Sequence, residues 1–164
     1  DSSLVVEIDS KAEQISDQRL QQIGMNIRSS MVSLLQQGNG YSAPEIKKLK
    51  SELLELEDTY RNQKNGFYVA SVDPNVCNHA LIGKRVLEPN TDWKIFLASD
   101  GLTRLVDTFE AIPSWEKFIR YLAKTPASEV IQYIRSIEHS DPDGQKFPRF
   151  RKHDDISMLM IQNK

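Results

Sequence analysis

The stretch Ile156-Ser157-Met158-Leu159-Met160-Ile161 is apolar at almost every position, and Trp93-Lys94-Ile95-Phe96-Leu97-Ala98-Ser99 is nearly so. Successive side chains of a strand point to opposite faces, so runs apolar at both parities need cover on both sides. Two such strands belong in the middle of a layered structure, which excludes an all-helical body. The longest apolar runs are four to five residues, too short to cross a membrane.

The rest of the chain supplies the layers. Ser3 to Ile8 is a β-rich run and reads as a strand. Ile15, Ile23, Ile27, Met31, Leu34 and Leu35 recur three or four apart, which predicts an amphipathic helix over about residues 11–37. Gly38-Asn39-Gly40 stops it. Ser42-Ala43-Pro44-Glu45 has the form of a capping box with a first-turn proline. The following stripe, Ile46, Leu49, Leu53, Leu56 and Tyr60, covers barely two heptads. A coiled-coil seam normally runs longer, so the two helices are expected as a hairpin over about 11–64 packed against a larger body. Further strands are expected at Phe67–Val72 and, more weakly, Leu81–Leu87. Two helices separate the two apolar strands. One begins near Ser114 and carries Trp115, Phe118, Ile119 and Leu122; the other opens at Thr125-Pro126 and carries Val130, Ile131, Ile134 and Ile137. Strands grouped with helical pairs between them predict an α+β layered sandwich, not a doubly wound parallel sheet.

With 164 residues, one domain is expected, able to fold without a disulfide or metal staple. Lys plus Arg is 21 against 23 Asp plus Glu, a formal charge of −2, which excludes a globally basic surface and makes a generic nucleic-acid binder a poor fit. The single cysteine, Cys77, excludes an internal disulfide and a cysteine zinc site, and it lacks a basic neighbour to activate it. No basic leader opens the sequence, so the expected location is cytoplasmic, with no membrane partner.

The first apolar strand ends at Asp100-Gly101, and the second begins after Asp154-Asp155. If the two lie antiparallel and adjacent, Asp100 shares one sheet edge with one aspartate of the later pair, since alternation lets only one face it. Carboxylates so gathered repel unless a cation sits between them, and Mg²⁺ or Mn²⁺ suits oxygen ligands. A plain turn and a solvated acidic pair are the competing readings. Lys146, Arg149, Arg151, Lys152 and His153 precede Asp154; they either attract a phosphorylated substrate or form a solvated loop. His79 and His139 have no partner at ligand spacing.

Ile95-Phe96-Leu97-Ala98-Ser99-Asp100-Gly101-Leu102 resembles the "apolar strand, then Ser-Asp-Gly" motif of the metal-dependent type 2C protein serine/threonine phosphatases. His153-Asp154-Asp155-Ile156-Ser157 and the apolar run after it resemble the family's closing motif, and Asp1-Ser2 before Leu4-Val5-Val6 looks like its Gly-Asp-Ser strand without the glycine. The resemblance covers residues 92–162 and 1–8. It implies an α-β-β-α sandwich, a dinuclear Mg²⁺ or Mn²⁺ centre, and hydrolysis of phosphoserine and phosphothreonine proteins by a metal-activated water. On it, Asp1, Asp100 and Asp154 match metal ligands, Asp155 stands where asparagine is usual, and Lys146, Arg149 and Arg151 are substrate-binding candidates. No nucleophile motif such as G-x-S-x-G competes. The family's Arg/Asn…Glu-Asp and Asp-Gly-x-x-Gly segments have no counterpart here. The expectation is therefore the C-terminal portion of one phosphatase-like domain, inactive alone and partnered by an N-terminal half, in the same protein or as a separate chain. The alternative is a non-catalytic pseudophosphatase or a phosphatase-fold interaction module.

Overall fold

The structure, a computed structural model, describes residues 2–163. It is α+β: a four-stranded antiparallel sheet with several helices. The chain divides into two compact units, one formed by residues 1–16 and 86–164, the other by 17–85.

In the first unit the strands are β1 (Ser2–Ile8), β2 (Lys11–Ile15), β3 (Trp93–Ser99) and β4 (Met158–Gln162), in the order β2-β1-β3-β4. The helices are α4 (Asp100–Asp107), α5 (Trp115–Leu122) and α6 (Ala127–Ser140). β1 and β2 form a hairpin whose two turn residues, Asp9 and Ser10, both have positive φ, 49° and 66°. That geometry matches the right-handed twist of the flanking strands. Residues 11–15 are thus strand, not the start of a helix. The sequence misleads there because the tight turn lacks the glycine that usually marks one.

Val5, Phe96 and Ala98 occupy aligned positions on one sheet face. They are buried with Leu102, Leu105, Phe109, Phe118, Ile119, Leu122, Val130 and Ile134, so α4, α5 and α6 cover that face. Ser114 caps α5 by accepting a hydrogen bond from Lys117 N–H. The other face carries Leu97, Leu159 and Ile161 at 44%, 54% and 50% exposure. The expectation that 156–161 is a central strand covered on both sides is therefore corrected. β4 is an edge strand, and all five of its residues are exposed.

The second unit holds α1 (Arg19–Gln22), α2 (Met25–Gln36) and α3 (Pro44–Tyr60). Gly24, in the left-handed conformation at φ 65°, interrupts the helical pattern before α2, and a Cβ there would meet Leu53 Cδ1 at 2.4 Å. α2 and α3 form the helical hairpin, with Met31, Leu35, Ile46 and Leu53 buried. It begins well after residue 11. Pro44 occupies the first turn of α3, but the N-cap is Ala43 and no side chain caps it, so the capping box does not form. Residues 67–72 and 81–87 are not strands. Only Phe67 makes a bridge, to Arg61, while Val72, Ile82 and Val86 are exposed. Their β-propensity finds no neighbouring strand to pair with, and propensity without pairing does not make a sheet. His79 stacks on Tyr68 with ring centroids 3.8 Å apart, and Cys77 is a free, exposed thiol. No helix among the described residues is long and apolar enough to cross a membrane.

Candidate metal centre

β3 and β4 pair antiparallel, from Ala98↔Met158 to Lys94↔Gln162, which returns residues 154–157 to the end of β3. Ser99 fixes that meeting three times. Its N–H donates to Ser157 O at 3.1 Å, its hydroxyl donates to Asp155 O at 3.0 Å, and Ser157 N–H donates to Ser99 Oγ at 2.9 Å. Gly101 permits the closeness: a Cβ built there would lie 2.0 Å from Asp155 O. The tripeptide Ser99-Asp100-Gly101 thus clamps the later segment, leaves room for it, and presents a carboxylate between those two functions.

Asp100, Asp154 and Asp155 each place a carboxylate oxygen within 4.8 Å of the others. Both members of the 154/155 pair share the cluster, contrary to the alternation argument. They precede β4 and are not in strand conformation, so the period-two rule does not apply to them. Asp155, not selected as a ligand from sequence, joins the set. Asp1 lies outside the described residues.

The electrostatics are those of carboxylates held together. Burial and then the neighbouring Asp154 charge push the Asp100 carboxyl above the usual carboxylate range, against the opposing pull of Gly101 N–H and Arg104. Asp154 is held more firmly. Arg104 Nη2 donates to its Oδ2 at 2.7 Å, Arg151 Nη1 stands 3.6 Å from its Oδ1, and Arg135 Nη2 donates to its main-chain carbonyl at 2.7 Å. Arg104 and Arg135 also converge on Glu138, which is fully buried. His153 Nδ1 lies 2.7 Å from Glu138 Oε2. Burial opposes charge on Glu138, but the bonds from His153 and Arg135 outweigh it and hold the carboxyl below its usual range. None of Arg104, Arg135 and Glu138 stood out in the sequence. The available signals were the four-residue spacing from Asp100 to Arg104 on α4 and the i, i+3 pair Arg135/Glu138 on α6.

The basic loop separates into different roles. Arg149 is buried: its Nη1 donates to Asp141 Oδ2 at 2.8 Å, and its guanidinium reaches the carbonyls of Asp141, Phe147 and Lys152. It is a structural arginine, not an exposed substrate contact, because Asp141 and the loop carbonyls take its donors. Lys146 is exposed, with its ammonium 4.8 Å from the Phe147 ring centroid. Arg151 is exposed and is the member of the loop that reaches the aspartate cluster.

The donor set suits a hard divalent cation. An octahedral Mg²⁺ with oxygens at about 2.1 Å places adjacent ligands about 3.0 Å apart and opposite ones about 4.2 Å apart, so three oxygens within 4.8 Å of one another would draw in around one cation. Around the cluster four carboxylates (Asp100, Asp154, Asp155 and Glu138) stand against three guanidiniums (Arg104, Arg135 and Arg151). The His153 imidazole also faces Glu138. Searches of protein-family models, curated proteins and solved structures return no match for this chain.

Proposed function

We propose that this chain is part of a metal-dependent protein serine/threonine phosphatase of the type 2C kind, located in the cytoplasm, acting on phosphoserine and phosphothreonine proteins. The observation that carries the reading is the convergence of Asp100, Asp154 and Asp155 at one end of the paired strands, with Ser99 and Gly101 shaped to hold it. The single sheet and its helices are read as half of an α-β-β-α sandwich. Mg²⁺ or Mn²⁺ at the cluster supplies Lewis-acid activation of water and neutralises phosphate charge. Asp100 and Asp155 offer carboxylate oxygens, and Asp154 would use Oδ1, which Asp155 N–H and Arg151 also approach, while Oδ2 is bonded to Arg104. Arg151 and Lys146 draw the phosphorylated substrate in by charge. Three carboxylates serve one cation. The resemblance implies a dinuclear centre with a further, bridging aspartate, so the reading includes an N-terminal half as partner.

A second reading, a phosphatase-fold module without turnover, is favoured by one observation: Arg104 already neutralises part of the Asp154 carboxylate. Hydrolysis of a phosphothreonine peptide, measured with and without Mn²⁺ after the encoded N-terminal half is added, separates the two. The phosphatase reading expects Mn²⁺-dependent phosphate release that Asp100→Asn abolishes. A folded, Mn²⁺-loaded complex that releases no phosphate supports the module.

A further inference from the structure

We infer that Glu138 is a positioning residue for Asp154, setting the cation affinity of the aspartate cluster through two arginines; this rests on the metal-site reading above. Glu138 is a fully buried carboxylate on α6, and both of its oxygens are engaged. Oε1 accepts from Arg104 Nη1 at 3.2 Å, and Oε2 accepts from Arg135 Nη1 at 2.6 Å. Each arginine turns its second terminal nitrogen on Asp154. Arg104 Nη2 takes the carboxylate oxygen Oδ2, and Arg135 Nη2 takes the main-chain carbonyl, both at 2.7 Å. Asp154 is thus gripped at side chain and backbone by two planar forks, both braced on one buried anion.

A buried ion network is a poor device for stability alone, since well-packed apolar residues of similar volume do as well or better. What a bidentate guanidinium provides is direction. Here the direction given is the rotation of the Asp154 carboxylate, which commits Oδ2 to Arg104, so that Oδ1, shared with Asp155 N–H at 3.2 Å and Arg151 at 3.6 Å, is the oxygen a cation would use. Groups that orient a ligand in this way typically change metal affinity by about 10–100-fold when removed.

The test uses the full chain and Mn²⁺ alone, titrated by electron paramagnetic resonance of the free ion, with circular dichroism confirming the fold of each variant. Wild type should bind Mn²⁺ at a site that Asp100→Asn removes. Glu138→Gln and Arg135→Ala should each raise the Kd about 10-fold or more, and Arg135→Lys should recover part of the loss. The two variants change charge in opposite senses. If only net charge mattered, Glu138→Gln would weaken binding while Arg135→Ala, which deletes a cation, would tighten it. Positioning requires both to weaken it. Arg135 has a side chain 32% exposed, so Arg135→Ala carries the test if Glu138→Gln fails to fold. A folded Arg135→Ala chain binding Mn²⁺ as tightly as wild type, or more tightly, overturns the positioning role while leaving the metal site standing. Absence in wild type of any Mn²⁺ site sensitive to Asp100→Asn overturns the metal reading, and the positioning role with it.

Discussion

Gly101 has no side chain because Asp155 O occupies the place one would take, 2.0 Å from a built Cβ. The obstacle is main chain, tied to Ser99 Oγ at 3.0 Å, so it cannot swing aside as a flexible side chain would. Gly101→Ala should cost about 1–3 kcal/mol, the range for forcing extra volume into a tight contact. Urea unfolding measures this, and an unchanged midpoint would mean that the 154–157 segment is not clamped. Asp100 makes the complementary prediction. Burial and then Asp154 raise its carboxyl pKa, so the folded chain keeps that proton to higher pH than the unfolded chain does. The folded state therefore binds more protons across that interval, and metal-free stability falls as pH rises from the ordinary carboxylate range through the raised pKa. Asp100→Asn should remove this component of the pH dependence and stabilise the metal-free chain at neutral pH. The gain should be about a few tenths of a kcal/mol, since solvent screens a partly exposed group. Identical pH profiles for the two chains would contradict it.

Among the elements, β3 and β4 are the informative pair, because similar apolar runs have different fates. Phe96 is fully buried beneath the helices, whereas Leu159 on β4 is 54% exposed. Phe96→Ala should cost about 3–5 kcal/mol. Leu159→Lys should stay within about 0.5 kcal/mol and should reduce self-association, since a charged edge strand resists pairing with another chain. Denaturant unfolding and sedimentation measure the two effects, and a large loss from Leu159→Lys would show that face to be covered. Periodicity made β1, β3, α5 and α6 legible, because each carries a strong pattern and an internal contact that agrees with it. It failed for β2, since the Asp9-Ser10 turn looks like continuing chain, and for α4, since Asp100-Gly101 reads as a turn. Residues 67–72 and 81–87 are composed like strands, yet sheet formation depends on a partner, which local sequence cannot reveal. At the site, end-to-start placement of two strands sufficed to bring Asp100 to Asp154. Asp155, Arg104 and Glu138 were not legible. The first depends on an irregular backbone before β4, and the other two are 34 residues apart and meet only in the folded unit.

At the level of the whole molecule, four strands and three helices bring one acidic cluster to one end of a strand pair, backed by a buried anion and two arginines. The helix-covered face supplies the rigid support. The other face buries Val6 but leaves Leu97, Leu159 and Ile161 exposed. The proposed activity requires Asp100, Asp154 and Asp155 to hold a divalent cation. The most direct test is Mn²⁺ titration of the intact chain beside Asp100→Asn, Asp154→Asn and Asp155→Asn, read by electron paramagnetic resonance. Saturable binding at one site is expected in the wild-type chain, with a Kd raised at least about 10-fold in each variant, because each removes a charged oxygen ligand from a hard cation. A wild-type chain without saturable binding, or three folded variants that bind as wild type does, would contradict it.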